Sequence, residues 1–109
     1  MRTVEQYFKD AHDRMAEVET ALLELAEELD LDVELVDTKM VVTIAKPKVT
    51  WVISTNSGAR QIWIAALTKS WKLDEDGQGG FVLKETGQTL KQVIEHCLTV
   101  HFGKKLALP

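Results

Sequence analysis

Apolar residues recur every three or four positions along the first part of the chain. They are Val4, Phe8, Ala11, Met15, Val18, Leu22, Leu25 and Leu29. This spacing places them on one side of a helix and predicts an amphipathic α-helix over residues 4–29, about 40 Å long. Thr3 and Gln6 have the spacing of a capping box, in which each side chain bonds the other residue's backbone N–H.

Short segments of β-branched and alternating residues follow this helix. The predicted strands cover residues 31–36, 40–45, 49–54, 61–66, 70–73 and 81–84. Pro47 cannot donate a backbone hydrogen bond, so residues 45–48 are predicted to form a hairpin turn. Three glycines within residues 74–80 predict a loop, and a plain turn is favoured there over a calcium site because the 12-residue ligand pattern is absent.

A second capping box, Thr89 with Gln92, predicts a helix that runs through residue 102 and ends at Gly103. The order is therefore one helix, a run of antiparallel strands and a second helix. Such an order predicts an α+β fold, specifically a two-layer α-β sandwich with both helices on one face of a roughly six-stranded antiparallel sheet. The 109 residues suit a single domain over 1–109.

Charge is unevenly distributed along the chain. Residues 1–37 contain twelve acidic and three basic residues, a net charge of −9, whereas residues 38–109 contain ten basic and five acidic residues, a net charge of +5. A solvated surface with no further role would mix the two signs. The separation indicates that the acidic segment attracts a cation or a basic partner.

Several classes of protein are excluded by composition. No apolar run approaches the roughly 20 residues needed to cross a bilayer, so no membrane association is expected. The start of the chain has no apolar leader segment and is too acidic for a transit peptide, which predicts a cytosolic protein or the mature form of a processed one. Cys97 is the single cysteine, so no internal disulfide can form.

The polar side of the first helix and the residues just after it form what we call the acidic ridge. Its members are Asp10, Asp13, Glu17, Glu24, Glu27, Glu28, Asp30 and Asp32. Several of them crowd the negative end of the helix dipole, where acids are unfavourable. Carboxylate oxygens suit hard cations, and His12 beside them could add an imidazole ligand for iron. A purely solubilising face explains the same pattern, and charge alone does not identify an ion.

Trp63 is the second candidate feature. In the strand over residues 61–66, Ile62 and Ile64 are expected to face the helices, which leaves Gln61 and Trp63 on the open face of the sheet. An exposed tryptophan beside Arg60 is a candidate binding hot spot. The alternative is that neighbouring side chains cover it.

An ordered set of motifs resembles the frataxin family over nearly the whole chain. It combines the acidic first helix with Trp51-Val52-Ile53-Ser54, Gln61-Ile62-Trp63, Trp71-Lys72-Leu73 and Glu85-Thr86-Gly87-Gln88-Thr89-Leu90. The resemblance implies a frataxin-like sandwich that binds iron weakly through the acidic ridge. It also implies docking on the cysteine desulfurase and the scaffold protein of iron–sulfur cluster assembly, as a monomer that can form iron-driven oligomers.

Individual positions carry over from this resemblance. Asp13, Glu24 and Glu27 match acidic ridge positions, as do Asp30 and Asp32 at the first strand. Gln61 and Trp63 match the partner-facing sheet surface, and Ser54 occupies a partner-facing position where relatives usually have asparagine. The absence of a presequence resembles bacterial members, which are cytoplasmic, whereas a processed eukaryotic form would belong to the mitochondrial matrix.

The same residues are compatible with other functions. Trp63 with Arg60, Lys69 and Lys72 could stack and bind single-stranded nucleic acid, although the −9 segment opposes this. Ferroxidase activity is attributed to some relatives, but the sequence predicts no enclosed di-iron site, and no nucleophile–base arrangement indicates another enzyme.

Cys97 and His101 have the i, i+4 spacing of a metal pair, yet Cys97 also belongs to the apolar stripe of the second helix and is predicted to be buried.

Overall fold

The computed structural model describes residues 3–45 and 48–109. Two helices, α1 and α2, flank seven strands in chain order, and the sheet order β1-β2-β3-β4-β5-β6-β7 is a simple antiparallel meander. The elements are α1 Val4–Leu29, β1 Leu31–Val36, β2 Lys39–Ile44, β3 Val49–Asn56, β4 Gln61–Ala66, β5 Lys69–Glu75, β6 Phe81–Leu83, β7 Gln88–Thr89 and α2 Leu90–Phe102. Both helices pack on one face of the sheet, which confirms the predicted α+β sandwich.

The ends of both helices follow the predicted caps. Thr3 and Thr89 each accept a hydrogen bond from the backbone N–H three residues later, and the glutamine there bonds back to the cap residue. Gly103 ends α2 in the left-handed region at φ 70°. These caps satisfy backbone groups that a helix end otherwise leaves without partners, which is why the predicted boundaries hold.

The strands differ from the prediction in extent. The additional strand β7 has only two residues, too few to show an alternating pattern. Strand β5 reaches Glu75, so the loop begins at Asp76, whose carboxylate accepts hydrogen bonds from the N–H groups of Gln78 and Gly80. The predicted turn over residues 45–48 falls partly on residues 46–47, which lie outside the described residues.

The core lies between the helices and the inner face of the sheet. Met15 and Leu22 of α1 are fully buried against it, together with Ile62 and Ile64 of β4, which are at most 1% exposed. At the start of α1 the buried face differs from the predicted stripe, because Tyr7 is 0% exposed whereas Phe8 is 38% exposed. Tyrosine can occupy this core position because its hydroxyl finds hydrogen-bond partners there.

The turn between β4 and β5 contains backbone strain that a substitution should relieve. Leu67 and Thr68 have φ 56° and 59°, both in the left-handed region, where a Cβ atom crowds the following carbonyl oxygen. We expect Thr68→Gly to raise the free energy of unfolding by about 0.5–1 kcal/mol, measured by urea denaturation. Thr68→Ala is the control, since it keeps the Cβ atom and the strain. Equal effects of the two substitutions would contradict this explanation.

Candidate functional site: the open sheet face and the acidic ridge

Trp63 lies on the open face of the sheet, away from both helices. The strand register places it between Ser54 of β3 and Lys72 of β5. Its side chain is 36% exposed, while Ile62 and Ile64 on either side of it point into the core. The orientation predicted from strand alternation is therefore correct, and Trp63 is available at the surface.

Two neighbours, Gln61 and Lys72, hold the Trp63 side chain on this face, and Asp74 in turn holds Gln61. Its indole Nε1 donates to Gln61 Oε1 at 2.7 Å, and Gln61 Nε2 donates to Asp74 Oδ1 at 3.0 Å. Lys72 Nζ lies 4.7 Å from the ring centroid, in the range of a cation–π interaction. We call Gln61, Trp63, Lys72 and Asp74 the tryptophan platform. It offers a large aromatic surface that loses little side-chain freedom when a partner binds.

Asp74 was not predicted as a site residue, and Lys72 was considered only for nucleic-acid binding. They reach Trp63 and Gln61 because β4 and β5 pair in the register Trp63↔Lys72 and Gln61↔Asp74. The two-residue turn between these strands could have suggested this register, since a hairpin of known loop length fixes which residues lie opposite.

Arg60, expected beside Trp63, lies instead at the end of the sheet near the start of α1. Its backbone is left-handed at φ 56°, and its Nη1 lies 3.4 Å from the Thr3 carbonyl oxygen and 3.5 Å from Glu75 Oε1. Because Arg60 has a positive φ just before β4 begins, its side chain does not follow the alternation of side chains along the strand. It is directed toward α1. Arg60 thus contacts the start of the helix layer through Thr3 and the end of strand β5 through Glu75.

Two carboxylates of the acidic ridge already have basic partners on the same helix. Lys9 Nζ lies 2.7 Å from Asp13 Oδ2, and this hydrogen bond lowers the pKa of the Asp13 carboxyl. Arg14 donates to both oxygens of Glu17, from Nε at 3.0 Å and from Nη2 at 2.7 Å. A cation approaching this half of the ridge would have to compete with these pairs.

The other half of the acidic ridge is open to solvent. Its exposed acids are Glu24, Glu27, Glu28, Asp30 and Asp32, and His12 is exposed at the opposite end. Asp30 ends α1 in the left-handed conformation, with its backbone N–H donating to the Ala26 carbonyl. The last turn of α1 contains no basic residue, so the acids add to the negative end of the helix dipole.

Asp10 does not belong to the exposed ridge, contrary to the sequence interpretation. It is only 7% exposed. The loop after β5 covers it, because Gly79 packs close to its carboxylate and the neighbouring Arg14 donates from Nη1 to the Gly79 carbonyl at 2.9 Å. Gly79 adopts φ 91°, which favours glycine. A contact between segments nearly seventy residues apart thus decides the burial of Asp10.

Within the described ranges 3–45 and 48–109, no three His, Cys, Asp or Glu side chains converge to form a metal cage. Six of the eight ridge residues are spaced along α1, and Asp30 and Asp32 follow it in the chain. Such a series of acids attracts hard cations by charge, and water would complete most of the coordination shell. The described residues therefore form no enclosed set of metal ligands.

Cys97 is a core residue, as predicted. It is 0% exposed, and burial raises the pKa of its thiol to about 11. The ring of His101 packs edge-to-face on Trp51, with centroids 5.8 Å apart. Because a metal ligand must be a thiolate, this protonated thiol in an apolar environment is a poor ligand.

These features define a class of protein: a two-layer α-β sandwich with a long acidic helix on one face of the sheet and an exposed tryptophan on the other. The frataxin-like domain family model matches residues 1–104, so this chain belongs to the frataxin family. The structure is similar to that of frataxin from Psychromonas ingrahamii, studied as a model of stability modulation within the CyaY protein family. The TM-score is 0.74 at 14% sequence identity, with 97% of each chain covered, a likeness that concerns the fold.

No curated protein sequence matches this chain. Neither helix of the described part of the chain has the length and apolar character needed to span a membrane.

Proposed function

We propose that this protein regulates iron–sulfur cluster assembly by docking through the tryptophan platform on the complex of cysteine desulfurase and scaffold protein. The observation that carries the proposal is an exposed, hydrogen-bonded Trp63 on the open sheet face of a frataxin-family chain. The protein would then act where clusters are assembled, in the bacterial cytoplasm or the mitochondrial matrix.

The geometry of the tryptophan platform supports protein docking over nucleic-acid stacking. Lys72 Nζ lies 4.7 Å from the centroid of the indole ring and covers one face on which a base could stack. Aromatic residues flanked by cations are common anchors of protein interfaces, where the ring is buried and the charge meets an acidic group of the partner. Ser54, across from Trp63 in the register, adds a small polar contact on the same row.

The acidic ridge has a separate role in this proposal. Iron is a cargo that the exposed carboxylates near the end of α1 attract weakly, and the same negative charge meets a basic patch on the desulfurase. The ridge fits this use because Glu24, Glu27 and Glu28 are exposed and lie within one to four positions of one another. It does not supply the enclosed carboxylate–histidine site that a ferroxidase would need.

Reconstituted cluster assembly tests the regulatory function directly. Purified desulfurase, scaffold, cysteine and Fe(II) are combined with and without this protein, and cluster formation is followed by absorbance. A change in the initial rate that saturates with added protein is expected. An unchanged rate together with no detectable binding to the complex would refute the proposal.

Iron binding is tested by anaerobic Fe(II) titration of the backbone amide NMR spectrum, with excess magnesium present. We expect broadening centred on residues 24–32, and binding about ten-fold weaker when Glu24, Glu27 and Glu28 are all replaced by glutamine. Glu85→Gln, an exposed acid outside the ridge, is the control. Broadening that magnesium erases, or that the triple variant retains, would assign the ridge to partner docking alone.

A further inference from the structure

Tyr7 connects the acidic helix to the sheet on which Trp63 lies. It is the single tyrosine of the chain and is 0% exposed. Its ring packs edge-to-face on Phe8 and Phe81, with centroid separations of 5.2 Å and 5.8 Å. These contacts hold the ring in one orientation and aim its hydroxyl group at the sheet.

The Tyr7 hydroxyl group bonds to two adjacent strands at once. It donates to the Gln61 carbonyl oxygen at 2.5 Å and accepts from the Asn56 N–H at 3.1 Å. Asn56 and Gln61 are paired residues at the end of the β3–β4 hairpin. Burial raises the pKa of Tyr7 above its ordinary value of 10, so the hydroxyl is protonated and can donate at neutral pH.

Gln61 is the residue on which both sets of contacts meet. Its backbone carbonyl accepts from Tyr7, while its side-chain oxygen accepts from Trp63 Nε1 and its side-chain nitrogen donates to Asp74. Hydrogen bonds therefore connect α1 to the exposed indole through a single residue, Gln61, whose backbone bonds to Tyr7 and whose side chain bonds to Trp63. Such networks restrict the conformations of all their members.

We infer that Tyr7 is a positioning residue for the tryptophan platform: its hydroxyl fixes Gln61, and Gln61 sets the orientation of Trp63. The inference rests on the proposed function, because it names what orients the surface that docks. Helix α1 thus has two roles, since its outer face carries the acidic ridge and its inner face positions the tryptophan on the opposite side of the sheet.

The test measures the indole N–H of Trp63 in the isolated protein by ¹⁵N NMR, assigned by its loss in Trp63→Phe. Tyr7→Phe keeps the packed ring and removes the hydroxyl. We expect hydrogen exchange of the Trp63 indole N–H to rise about three- to ten-fold, and its resonance to move, while Trp51 and Trp71 stay unchanged. An unchanged Trp63 signal would overturn the inference.

Two further variants separate positioning from general destabilisation. Val18→Ala opens the core under the same helix but keeps the hydroxyl, so it should leave the Trp63 signal in place. Gln61→Ala removes the side chain and keeps the carbonyl, so adding Tyr7→Phe to it should cause no further change at Trp63. A similar change in Val18→Ala, or an additional change in the double variant, would show that Tyr7 does not act through Gln61.

Labelling the single tyrosine with 3-fluorotyrosine provides a second route should Tyr7→Phe not fold. The more acidic phenol donates more strongly, so the Trp63 resonance should move in the direction opposite to that caused by losing the hydroxyl. No movement would overturn the inference. None of these measurements uses a partner protein, so their failure is distinct from a failure of Trp63 to bind the assembly complex.

Discussion

Trp63→Ala is expected to weaken binding to the desulfurase–scaffold complex at least about 30-fold, as measured by calorimetry or surface plasmon resonance. A central aromatic anchor of an interface contributes about 2 kcal/mol or more, which corresponds to this factor. Trp63 fits that description because it is large, 36% exposed and held by Gln61 and Lys72 before any partner arrives. Replacing Trp63 by alanine removes the aromatic contact with the partner and the cation–π contact with Lys72.

The fold should survive Trp63→Ala, because the side chain lies outside the core. We expect the free energy of unfolding to fall by no more than about 1–2 kcal/mol. Val100→Ala is a matched control, since Val100 is a large apolar side chain, 53% exposed, on α2 on the other side of the sheet. Wild-type affinity in Trp63→Ala, or equal losses in both variants, would remove the tryptophan platform from the proposed interface.

Phe81→Ala should produce the largest loss of stability among the substitutions considered. Phe81 is 2% exposed, and its ring meets that of Tyr7 with centroids 5.8 Å apart. Removing a buried phenyl ring costs about 3–5 kcal/mol, since transfer free energy is lost and a cavity remains. A domain with about 5–15 kcal/mol of stability would lose a large part of it, which urea denaturation measures through the midpoint.

Phe8→Ala provides the matched comparison for Phe81→Ala. Both phenylalanine rings touch Tyr7, and Phe8 has the shorter centroid distance of 5.2 Å, but Phe8 is 38% exposed. We expect its replacement to cost less than about 1.5 kcal/mol, because less apolar surface leaves the core. Equal losses would mean that contact with Tyr7, rather than burial, determines the effect.

The elements of the fold were predictable because their signals are local. The bounds of α1 follow from an apolar repeat and a capping box within a few residues of each other, and both ends of α2 follow from Thr89 and Gly103. Alternation likewise placed Ile62 and Ile64 inside and Trp63 outside. Strand β7 was missed because two residues have no periodicity, and it forms only through its pairing with β6.

The details of the candidate site were less predictable, because they depend on contacts between distant segments. Asp10 was assigned to the acidic ridge from its helical angle, but the loop containing Gly79 covers it. Tyr7 was not part of the predicted apolar stripe, yet it is buried in place of Phe8, and its hydroxyl bonds to Gln61 and Asn56. Local sequence patterns could not predict these contacts, because each joins residues that are far apart in the chain.

The sequence by itself determined the α+β architecture, the ends of the helices and the concentration of acidic charge in the first third of the chain. Those properties depend on periodicity, capping and composition, which act over a few residues. Only the tertiary structure decided which acids stay exposed and that Arg60 faces α1. It also decided that Gln61 and Lys72 contact Trp63, with Asp74 bonded to Gln61. Strand register and loop packing bring these residues together, and the free energy of such contacts is gained only when the chain is folded.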